Sequence, residues 1–484
     1  MLFNSLVFII FISITFVIYY IIKDKYKPYV LLFASFIFIL SYSISALLIG
    51  CVLTIVSYGL AFCLKDKNKA ILGISIIIVG GIFFIKYLNY FMKLFESIMG
   101  RVQILITMPQ IDIIIPVGIS FYTLKIVSYL IDVYKGKVEP EKNLGFYSLY
   151  VLFFPQFTSG PIERADFFIT QIKDRLYTFE YEKVRYGLIL IMVGLLQKVV
   201  LADRLNIYVN YVYSDLWNYH GVTLLMVSIL YTFQIYCDFA SYSTISIGCA
   251  KLFGYNTQPN FNKPYLSKSI KEFWTRWHIS FSSWLKDYVY IPLGGNRKGK
   301  VRQYLNLALT FIVSGIWHGT GSHFLLWGGC HAFFQIVGNA TQNFRNAFWS
   351  KLNLDDKSRI RRGVSTFITF IFINISWILF RVNSLYDLKV FVKQIFQFGF
   401  SGEPFQEVAS IMILGNEDFI ILLCGLGIMI TLELLDYRKN LYVRFNDLNG
   451  WLRWSIYAIA FIVFITFGIY GPGFDSQSFI YTQF

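Results

Sequence analysis

The amino-acid sequence predicts an all-α polytopic membrane protein, and three observations lead to that fold class. Of the 484 residues, 56% are hydrophobic and 15% are charged, whereas soluble domains average about 45–50% and about 25%. Apolar runs near the ~20 residues that cross a bilayer core follow one another along the chain. The net charge of +15 comes from Lys and Arg between these runs, as membrane orientation requires. We therefore predict one membrane domain, 1–484, with about eleven transmembrane helices and additional re-entrant or amphipathic helices.

Short lysine clusters separate the first apolar runs. Residues 2–22 lack a basic start and a small-residue cleavage site, which predicts an anchored helix and not a signal peptide. The run 29–64 is long enough for a hairpin of two short helices, while 70–94 and 116–134 each predict one crossing. Lysine clusters close these runs at 23–27, 65–69 and 135–137. The positive-inside rule places these clusters in the cytoplasm and the N-terminus outside.

The apolar run 149–168, LYVLFFPQFTSGPIERADFF, is interrupted by two prolines and Gly160. Irregular backbone at membrane depth is tolerated only where it is buried in protein or lines a wet cavity. The sequence leaves two interpretations open, such a buried segment and a loop at the membrane surface. Glu163 and Arg164 then form either a neighbouring ion pair or plain interfacial charges.

Further spans are predicted at 186–201, 223–253, 364–380, 419–435 and 454–470. The run 223–253 carries three polar residues, Gln234, Asp238 and Ser241. Gln234 and Asp238 are four residues apart and share a helix face, which should point to the protein interior. They predict either a nearby substrate cavity or a hydrogen bond between helices.

Four of the five histidines lie within the window 270–335, at His278, His318, His323 and His331. His318 follows Trp317 in an apolar run, and an ionisable side chain at membrane depth indicates a functional site. A neutral imidazole takes a proton from a hydroxyl and returns it to a leaving thiolate, which predicts acyl transfer by general-base catalysis. His278 is a candidate for orienting the acceptor or the donor carbonyl. For His323 and His331 we expect burial with a hydrogen bond to the backbone.

Two further segments of this window carry candidate functions. Trp277, Phe281 and Trp284 recur at four and three residues, which predicts an amphipathic helix at the membrane surface, with Arg276 among its polar residues. A basic loop follows two glycines and contains Arg297, Lys298, Lys300 and Arg302. This loop fits the phosphates of a nucleotide-like acyl donor or an acidic carrier protein. It fits equally a positive-inside loop without a binding function.

Other chemistries receive little support from the sequence. The six cysteines show no CxxC spacing and there is no HExxH motif, so no zinc site, disulfide framework or catalytic metal is predicted. Haem ligation by His318 and His331 lacks a second helix with a matching histidine pair. Nucleic-acid binding is not predicted, because no basic stripe with interleaved aromatics lies outside the apolar runs. A transporter or flippase is the alternative outside enzymes, although the hydropathy lacks the internal symmetry typical of transporters.

Several motifs resemble those of the membrane-bound O-acyltransferase family, in that family's order. They are PVGISFYTLKIVSYLIDVY (116–134), FFPQFTSGPI (153–162), QIYCDFASYSTISIG (234–248), RWHISFSSWLKDYVYIPLGGNRKG (276–299), SGIWHG (314–319), FRVNSL (380–385) and FIYTQF (479–484). The resemblance covers essentially the whole chain. The sequence is most similar to the bacterial branch that includes the alginate and peptidoglycan O-acetylation membrane subunits. The D-alanyl transferase of teichoic acid modification is a shorter relative.

The resemblance implies a funnel-shaped helical fold with a tunnel through the bacterial cytoplasmic membrane. It implies that His318 is the essential histidine and His278 the second one. The acyl group is expected to be acetyl, delivered from the cytoplasm by acetyl-CoA or an acyl-carrier thioester, with no bound cofactor. The acceptor is an exported or cell-wall polysaccharide, and an extracytoplasmic hydrolase-like partner completes the transfer. D-alanyl transfer to teichoic acid from a carrier protein is the alternative within the class.

The aromatic tail, 471–484, is similar to the FxYxxF ending seen in this branch, with Thr482 where Phe is usual. A tyrosine near the end of a flexible tail is able to reach a distant site. We therefore predict that Tyr481 accepts the acyl group on its phenol oxygen and relays it outward. The alternative is an aromatic tail anchored at the membrane interface.

Overall fold

The computed structural model of the protein describes residues 1–109, 116–174, 178–397, 415–438 and 440–470. The regular structure in these ranges is helical throughout and contains no β-strand, which confirms the predicted all-α class. The chain forms two compact units. Of the described residues, one unit contains those of 1–189 and 246–258, and the other contains those of 190–245 and 259–470.

The first unit contains nine helices up to residue 173, among them the predicted hairpin. They are α1 (Leu6–Ile21), α2 (Lys27–Leu40), α3 (Ile44–Cys63), α4 (Lys69–Phe84), α5 (Leu88–Arg101), α6 (Ile119–Tyr134), α7 (Leu144–Leu152), α8 (Phe154–Phe157) and α9 (Ala165–Lys173). Helices α2 and α3 form the hairpin expected over 29–64. In the run 70–94, which was predicted as one crossing, a 3₁₀ turn at Ile85–Tyr87 separates α4 from α5, and the single crossing stays a prediction. Helix α5 is amphipathic, with Asn89, Lys93 and Glu96 on its polar face.

The interrupted segment lies inside the first unit, which favours the first of the two open interpretations, a segment buried in protein. Residues 151–163 are all buried, and the chain turns there from α7 through the short α8 toward α9. Glu163 is fully buried and accepts a hydrogen bond from the backbone N–H of Gln258 at 2.6 Å. The Lys125 ammonium, also buried, donates to Gln156 Oε1 at 2.8 Å. Buried polar groups are retained only with such partners, so the irregular backbone is supported by a polar network and Glu163 is not an interfacial charge.

The rest of the chain forms thirteen further helices in the described ranges. They are α10 (Tyr181–Leu196), α11 (Asp203–Ser214), α12 (Gly221–Leu252), α13 (Ile270–Arg276), α14 (Ile279–Leu285), α15 (Gly299–His318), α16 (Ser322–Ala340), α17 (Gln342–Lys351), α18 (Arg359–Arg381), α19 (Leu385–Ile395), α20 (Asn416–Arg438), α21 (Leu441–Asn446) and α22 (Gly450–Phe467). A π-helix, Gln197–Ala202, joins α10 to α11. In the apolar window of α12, 72% of the residues are buried, against none in that of α22. Helix α12 is therefore an inner helix, and its polar residues face protein.

Six helices within the described ranges are long and apolar enough to cross a membrane. They are Ile44–Cys63, Tyr181–Ser214, Gly221–Leu252, Arg359–Arg381, Asn416–Arg438 and Gly450–Phe467. Leu6–Ile21 and Lys69–Gly81 are apolar but shorter. The polytopic class is thus confirmed, while the total of about eleven spans stays a prediction.

Helices α15 and α16 pack with their backbones in close approach. A Cβ atom on Gly315 would collide with the carbonyl oxygen of Phe324, and one on Gly328 with the carbonyl oxygen of Phe311. Small residues permit this kind of contact between membrane helices because no side chain separates the two backbones. The contact fixes α15, whose last residue is His318.

Replacing Gly328 by Ala is expected to reduce the free energy of unfolding by about 1–3 kcal/mol, because the added methyl group overpacks the α15–α16 contact. The measurement is the thermal unfolding of the purified protein in detergent. Gly329→Ala is the matched control, since nothing lies within 4 Å of a Cβ at this position. Equal unfolding midpoints for the two variants would contradict the close approach.

Candidate active site

His318 ends α15 and lies inside the second unit with 4% of its surface exposed. The helix stops there because Gly319 adopts extended backbone. A side chain at Gly319 would collide with the ring of Phe324, which packs against this turn. The residue after the histidine therefore has to be small, and the sharp exit from the helix leaves the imidazole on its last turn.

Aromatic rings surround the imidazole of His318. The ring centroids of Trp327, Trp317, Phe380 and Phe281 lie 4.8, 4.9, 5.2 and 5.8 Å from that of His318. All four contacts are edge-on, with interplanar angles from 71° to 88°, a preferred geometry for ring pairs. These rings come from α14, α15, α16 and α18. The histidine is thus held where water is largely excluded and where polar interactions are stronger than in water.

His278 lies at a break between α13 and α14, so the single amphipathic helix predicted through Trp277 and Trp284 is wrong. Its backbone is left-handed, with φ 43°, a conformation that a residue with a Cβ rarely adopts. Hydrogen bonds from the two residues that follow it to Asn260 support this conformation. The N–H of Ile279 donates to the carbonyl oxygen of Asn260 at 2.9 Å, and the Ser280 hydroxyl donates to Asn260 Oδ1 at 2.6 Å.

The aromatic face of this segment is buried in protein and does not lie at the membrane surface. Trp277, Phe281 and Trp284 are 1%, 1% and 7% exposed. Trp277 packs against Trp377 with centroids 4.9 Å apart, and Phe281 stacks on Trp317 at 4.3 Å. The spacing of four and three residues therefore reflects a core face and not an interfacial one.

The structure brings His278 and His318 to the same aromatic pair. His278 contacts Phe281 at 5.0 Å and Trp317 at 5.9 Å, and both rings also contact His318. On its other side, Phe239 of α12 packs edge-on against His278 at 4.7 Å. Burial lowers the pKa of His278 to about 3. Its ring is therefore neutral near pH 7, with one nitrogen as hydrogen-bond donor and the other as acceptor.

His331 and His323 have different surroundings. The indole N–H of Trp274 donates to His331 Nδ1 at 3.2 Å, so the expected partner, a backbone group, is replaced by a side chain. His331 and His318 both pack on Trp327, with ring centroids 4.8 Å apart in each pair. His323 lies beside Phe324 at 4.2 Å.

Asp238 belongs to a buried cluster of three charges. Lys198, in the π-helix, places its ammonium 2.5 Å from Asp238 Oδ1 and 2.9 Å from Asp203 Oδ1. The three side chains are 2–4% exposed. A π-helical turn inside a long helix often marks a functional segment, and here it directs a lysine toward α12. Sequence reasoning missed Lys198 and Asp203, although an ionisable residue in the predicted span 186–201 was a usable signal.

The other polar residues of α12 are engaged locally. Gln234 donates to Asn206 Oδ1 of α11 at 2.7 Å, the interhelical contact that the sequence offered as one of two interpretations. The Ser241 hydroxyl donates to the carbonyl oxygen of Asp238 at 2.7 Å. A substrate-orienting role for Gln234, Asp238 and Ser241 stays a prediction.

Arg276 and the basic loop are the remaining candidates in the described ranges. Arg276 pairs with Glu272 at 2.8 Å, and its guanidinium lies 5.2 Å from the ring centroid of Tyr437. Exposed side chains form the basic loop, at Arg297, Lys298, Lys300 and Arg302. Tyr481 lies outside the described residues. Within the described ranges, no group of three His, Cys, Asp or Glu side chains is placed to hold a metal ion.

A comparison with known families identifies the family of the chain. The family model described as membrane-bound O-acyltransferase matches residues 35–386, a range that contains both His278 and His318. The chain belongs to the membrane-bound O-acyltransferase family. It is therefore a membrane acyltransferase, as its motifs predicted, and the alternative of a transporter without acyl chemistry is set aside.

Curated relatives of this acyltransferase are named for alginate, peptidoglycan and teichoic acid. The probable alginate O-acetylase AlgI of Pseudomonas putida is 32% identical over 413 residues, which cover 82% of this chain and 81% of the relative. The peptidoglycan O-acetyltransferase of Helicobacter pylori is 32% identical over 327 residues, covering 62% and 60%. The teichoic acid D-alanyltransferase of Bacillus subtilis is 28% identical over 248 residues, covering 50% and 63%.

Replacing Lys198 by Met is expected to lower the free energy of unfolding of the acyltransferase by about 3–5 kcal/mol, because two buried carboxylates lose their counter-ion. The measurement is thermal unfolding in detergent together with the amount of protein in the membrane. Lys389→Met, at an exposed position of α19, serves as the control and is expected to change stability by less than about 0.5 kcal/mol. Similar stability in the two variants would contradict a structural role for the charge cluster.

Proposed function

We propose that the acyltransferase moves an acetyl group from a cytoplasmic thioester donor, acetyl-CoA in the simplest case, toward O-acetylation of an exported or cell-wall polysaccharide. The observation that carries the proposal is the buried imidazole of His318, enclosed by four aromatic rings. The names of two relatives, an alginate O-acetylase and a peptidoglycan O-acetyltransferase, support an acetylated polymer as the end product.

In this mechanism His318 acts as a general base. Its unprotonated imidazole nitrogen takes the proton from an acceptor hydroxyl while the hydroxyl oxygen attacks the thioester carbonyl. The new C–O bond forms, the C–S bond breaks, and the proton passes from His318 to the departing thiolate. The base thus returns to its starting form, and no covalent bond to the histidine is needed. The apolar rings support the step because they exclude water that would otherwise hydrolyse the thioester.

His278 is proposed to orient the reactants. Its neutral ring offers one N–H donor, which fits the carbonyl oxygen of the donor or the oxygen of the acceptor. Phe281 and Trp317 contact both imidazoles, which supports a shared task. Trp317, with Gln234, Asp238, Ser241 and Arg276, completes the proposed orienting set.

The basic loop is proposed to bind the donor from the cytoplasm. Arg297 and Lys298 precede α15, and Lys300 and Arg302 lie in its first turn, all with exposed side chains. Exposed cations suit the phosphates of CoA or the acidic surface of a carrier protein. The second candidate, D-alanyl transfer from a carrier protein, rests on the similarity to a teichoic acid D-alanyltransferase.

The same proposal includes the setting of the reaction. The enzyme lies in the bacterial cytoplasmic membrane with its N-terminus outside, since the lysine clusters between the early helices belong in the cytoplasm. The polysaccharide and an extracytoplasmic hydrolase-like acetyltransferase partner then lie on the opposite side from the donor.

His318→Ala is expected to lower polysaccharide-linked acetyl at least about 100-fold, the range of general-base catalysis. His278→Ala is expected to give a smaller loss. The measurement is acetyl released by mild base from the polysaccharide of cells with matched membrane abundance of each variant. His220→Ala, an exposed histidine outside the window, is the control and is expected to retain full acetylation. Full acetylation in His318→Ala would refute the catalytic assignment.

Tyr481 is proposed to carry the acyl group outward as a phenyl ester on its oxygen. Tyr481→Phe is then expected to abolish polysaccharide-linked acetyl while leaving membrane abundance unchanged, because only the phenol oxygen is removed. The matched control is Tyr386→Phe, at an exposed tyrosine of α19. Mass spectrometry of the C-terminal peptide checks the acyl adduct directly. Normal acetylation in Tyr481→Phe would favour the aromatic anchor instead.

The double change Arg297→Gln with Lys298→Gln is expected to raise the KM for acetyl-CoA about tenfold or more with little change in kcat, since charge-assisted phosphate contacts are lost. The assay measures thiol release from acetyl-CoA by purified membranes at two salt concentrations. The control is Lys351→Gln with Lys357→Gln, which removes the same charge from another exposed basic segment and is expected to leave the KM unchanged. An equal KM in both double variants would show that the loop serves membrane orientation only.

A further inference from the structure

Helices α1 and α2 leave an apolar groove between them on the first unit. The groove has a cavity volume of about 640 Å³ and is lined by side chains such as Phe11, Ile18, Phe33 and Ile37, with Thr15 as its single hydroxyl outside the tyrosines. Several lining side chains are among the large exposed apolar groups of the chain, Ile18 at 47% and Phe33 at 65%. A groove of this composition needs an apolar occupant in the membrane.

The length of the groove corresponds to one leaflet of a bilayer. Its lining runs along α1 from Phe11 to Ile22 and returns along α2 from Tyr26 to Ile37. At 1.5 Å per residue, eleven residues of helix extend about 16 Å. The hydrocarbon core of a bilayer is about 30 Å thick, so the groove accommodates acyl chains from one leaflet.

The end of the groove near Tyr26 carries uncompensated positive charge. Asp24 is paired with the buried Lys27 at 2.8 Å, which leaves the exposed Lys23 and Lys25 without an acidic partner among the described residues. The Lys25 ammonium lies 4.7 Å from the ring centroid of Tyr26, and Tyr26 itself lines the groove. Two cations therefore lie where the apolar lining ends.

Two tyrosines lie at the charged end of the groove. Tyr26 and Tyr29 both line the groove at its charged end, and the Tyr29 hydroxyl accepts a hydrogen bond from Asn143 at 3.1 Å. Tyrosine rings favour the depth at which the hydrocarbon meets the headgroups. Along the groove, the apolar lining is followed by the two tyrosines and then by the two lysines. A phospholipid has the same order, with acyl chains, then the glycerol region and then the phosphate.

We propose that this groove binds an anionic phospholipid, with its acyl chains between α1 and α2 and its phosphate at Lys23 and Lys25. The lipid would come from the cytoplasmic leaflet, because basic clusters concentrate on that side. The bound lipid would contact both α1 and α2 near the five-residue link that connects them. The proposal concerns a surface of the first unit and does not depend on the acyl-transfer mechanism.

The test is native mass spectrometry of the full-length protein, purified in detergent and mixed with equal amounts of phosphatidylglycerol and phosphatidylcholine. The wild type is expected to retain one phosphatidylglycerol in preference. Lys23→Gln with Lys25→Gln is expected to reduce that preference about 30-fold, from the attraction of two lysines to an anionic lipid surface. Lys65→Gln with Lys67→Gln, from the next exposed lysine cluster, is expected to leave it unchanged.

A second pair of variants tests the apolar part of the groove. Ile18→Trp fills the groove and is expected to release the lipid, whereas Val17→Trp, exposed on the neighbouring face outside the lining, is expected to retain it. Equal retention of phosphatidylglycerol in all variants would overturn the proposal. The proposal would also be overturned if the wild type formed a dimer without a lipid preference and Ile18→Trp dissociated that dimer. A second copy of the chain would then cover the groove.

Discussion

The enclosure of one imidazole by aromatic rings is the interaction on which the second unit depends. The rings around His318 come from four helices, and each ring also packs against others of the core. Trp327, for example, contacts His318, His331 and Phe380 at 4.8, 4.8 and 5.4 Å. The close approach of α15 and α16 at Gly315 and Gly328 holds this set together. Because the site and the core share the same side chains, the packing that stabilises the unit also keeps the histidine dry.

The second constraint is that buried charged groups need partners, and the two units supply different kinds of partner. In the first unit, Lys125 donates to a buried amide oxygen, and Glu163 accepts from a backbone N–H. In the second unit, Lys198 faces two carboxylates. Charges removed from water persist only when such partners compensate them. The irregular segment of the first unit and the π-helix of the second therefore occur where the backbone must bring these partners within reach.

Several predictions failed at places where one sequence pattern has two physical causes. A spacing of four and three residues describes a face of a helix, and it predicted an interfacial helix through Trp277 and Phe281. The same spacing arises in a core segment, and only the packing of these rings against Trp377 and Trp317 distinguishes the two cases. The charge at Glu163 was ambiguous for the same reason, since its burial depends on residues about 100 positions away.

The sequence by itself determined the all-α membrane class, the family and the candidate histidine, because composition, apolar run length and local motifs are properties of contiguous residues. Only the tertiary structure decided that Lys198 joins Asp238, that Asn260 supports the left-handed turn at His278, and that His278 and His318 share two rings. These relations join side chains from 20 to 40 residues apart in the chain. Their distances are set by how helices pack in three dimensions, which no local pattern specifies.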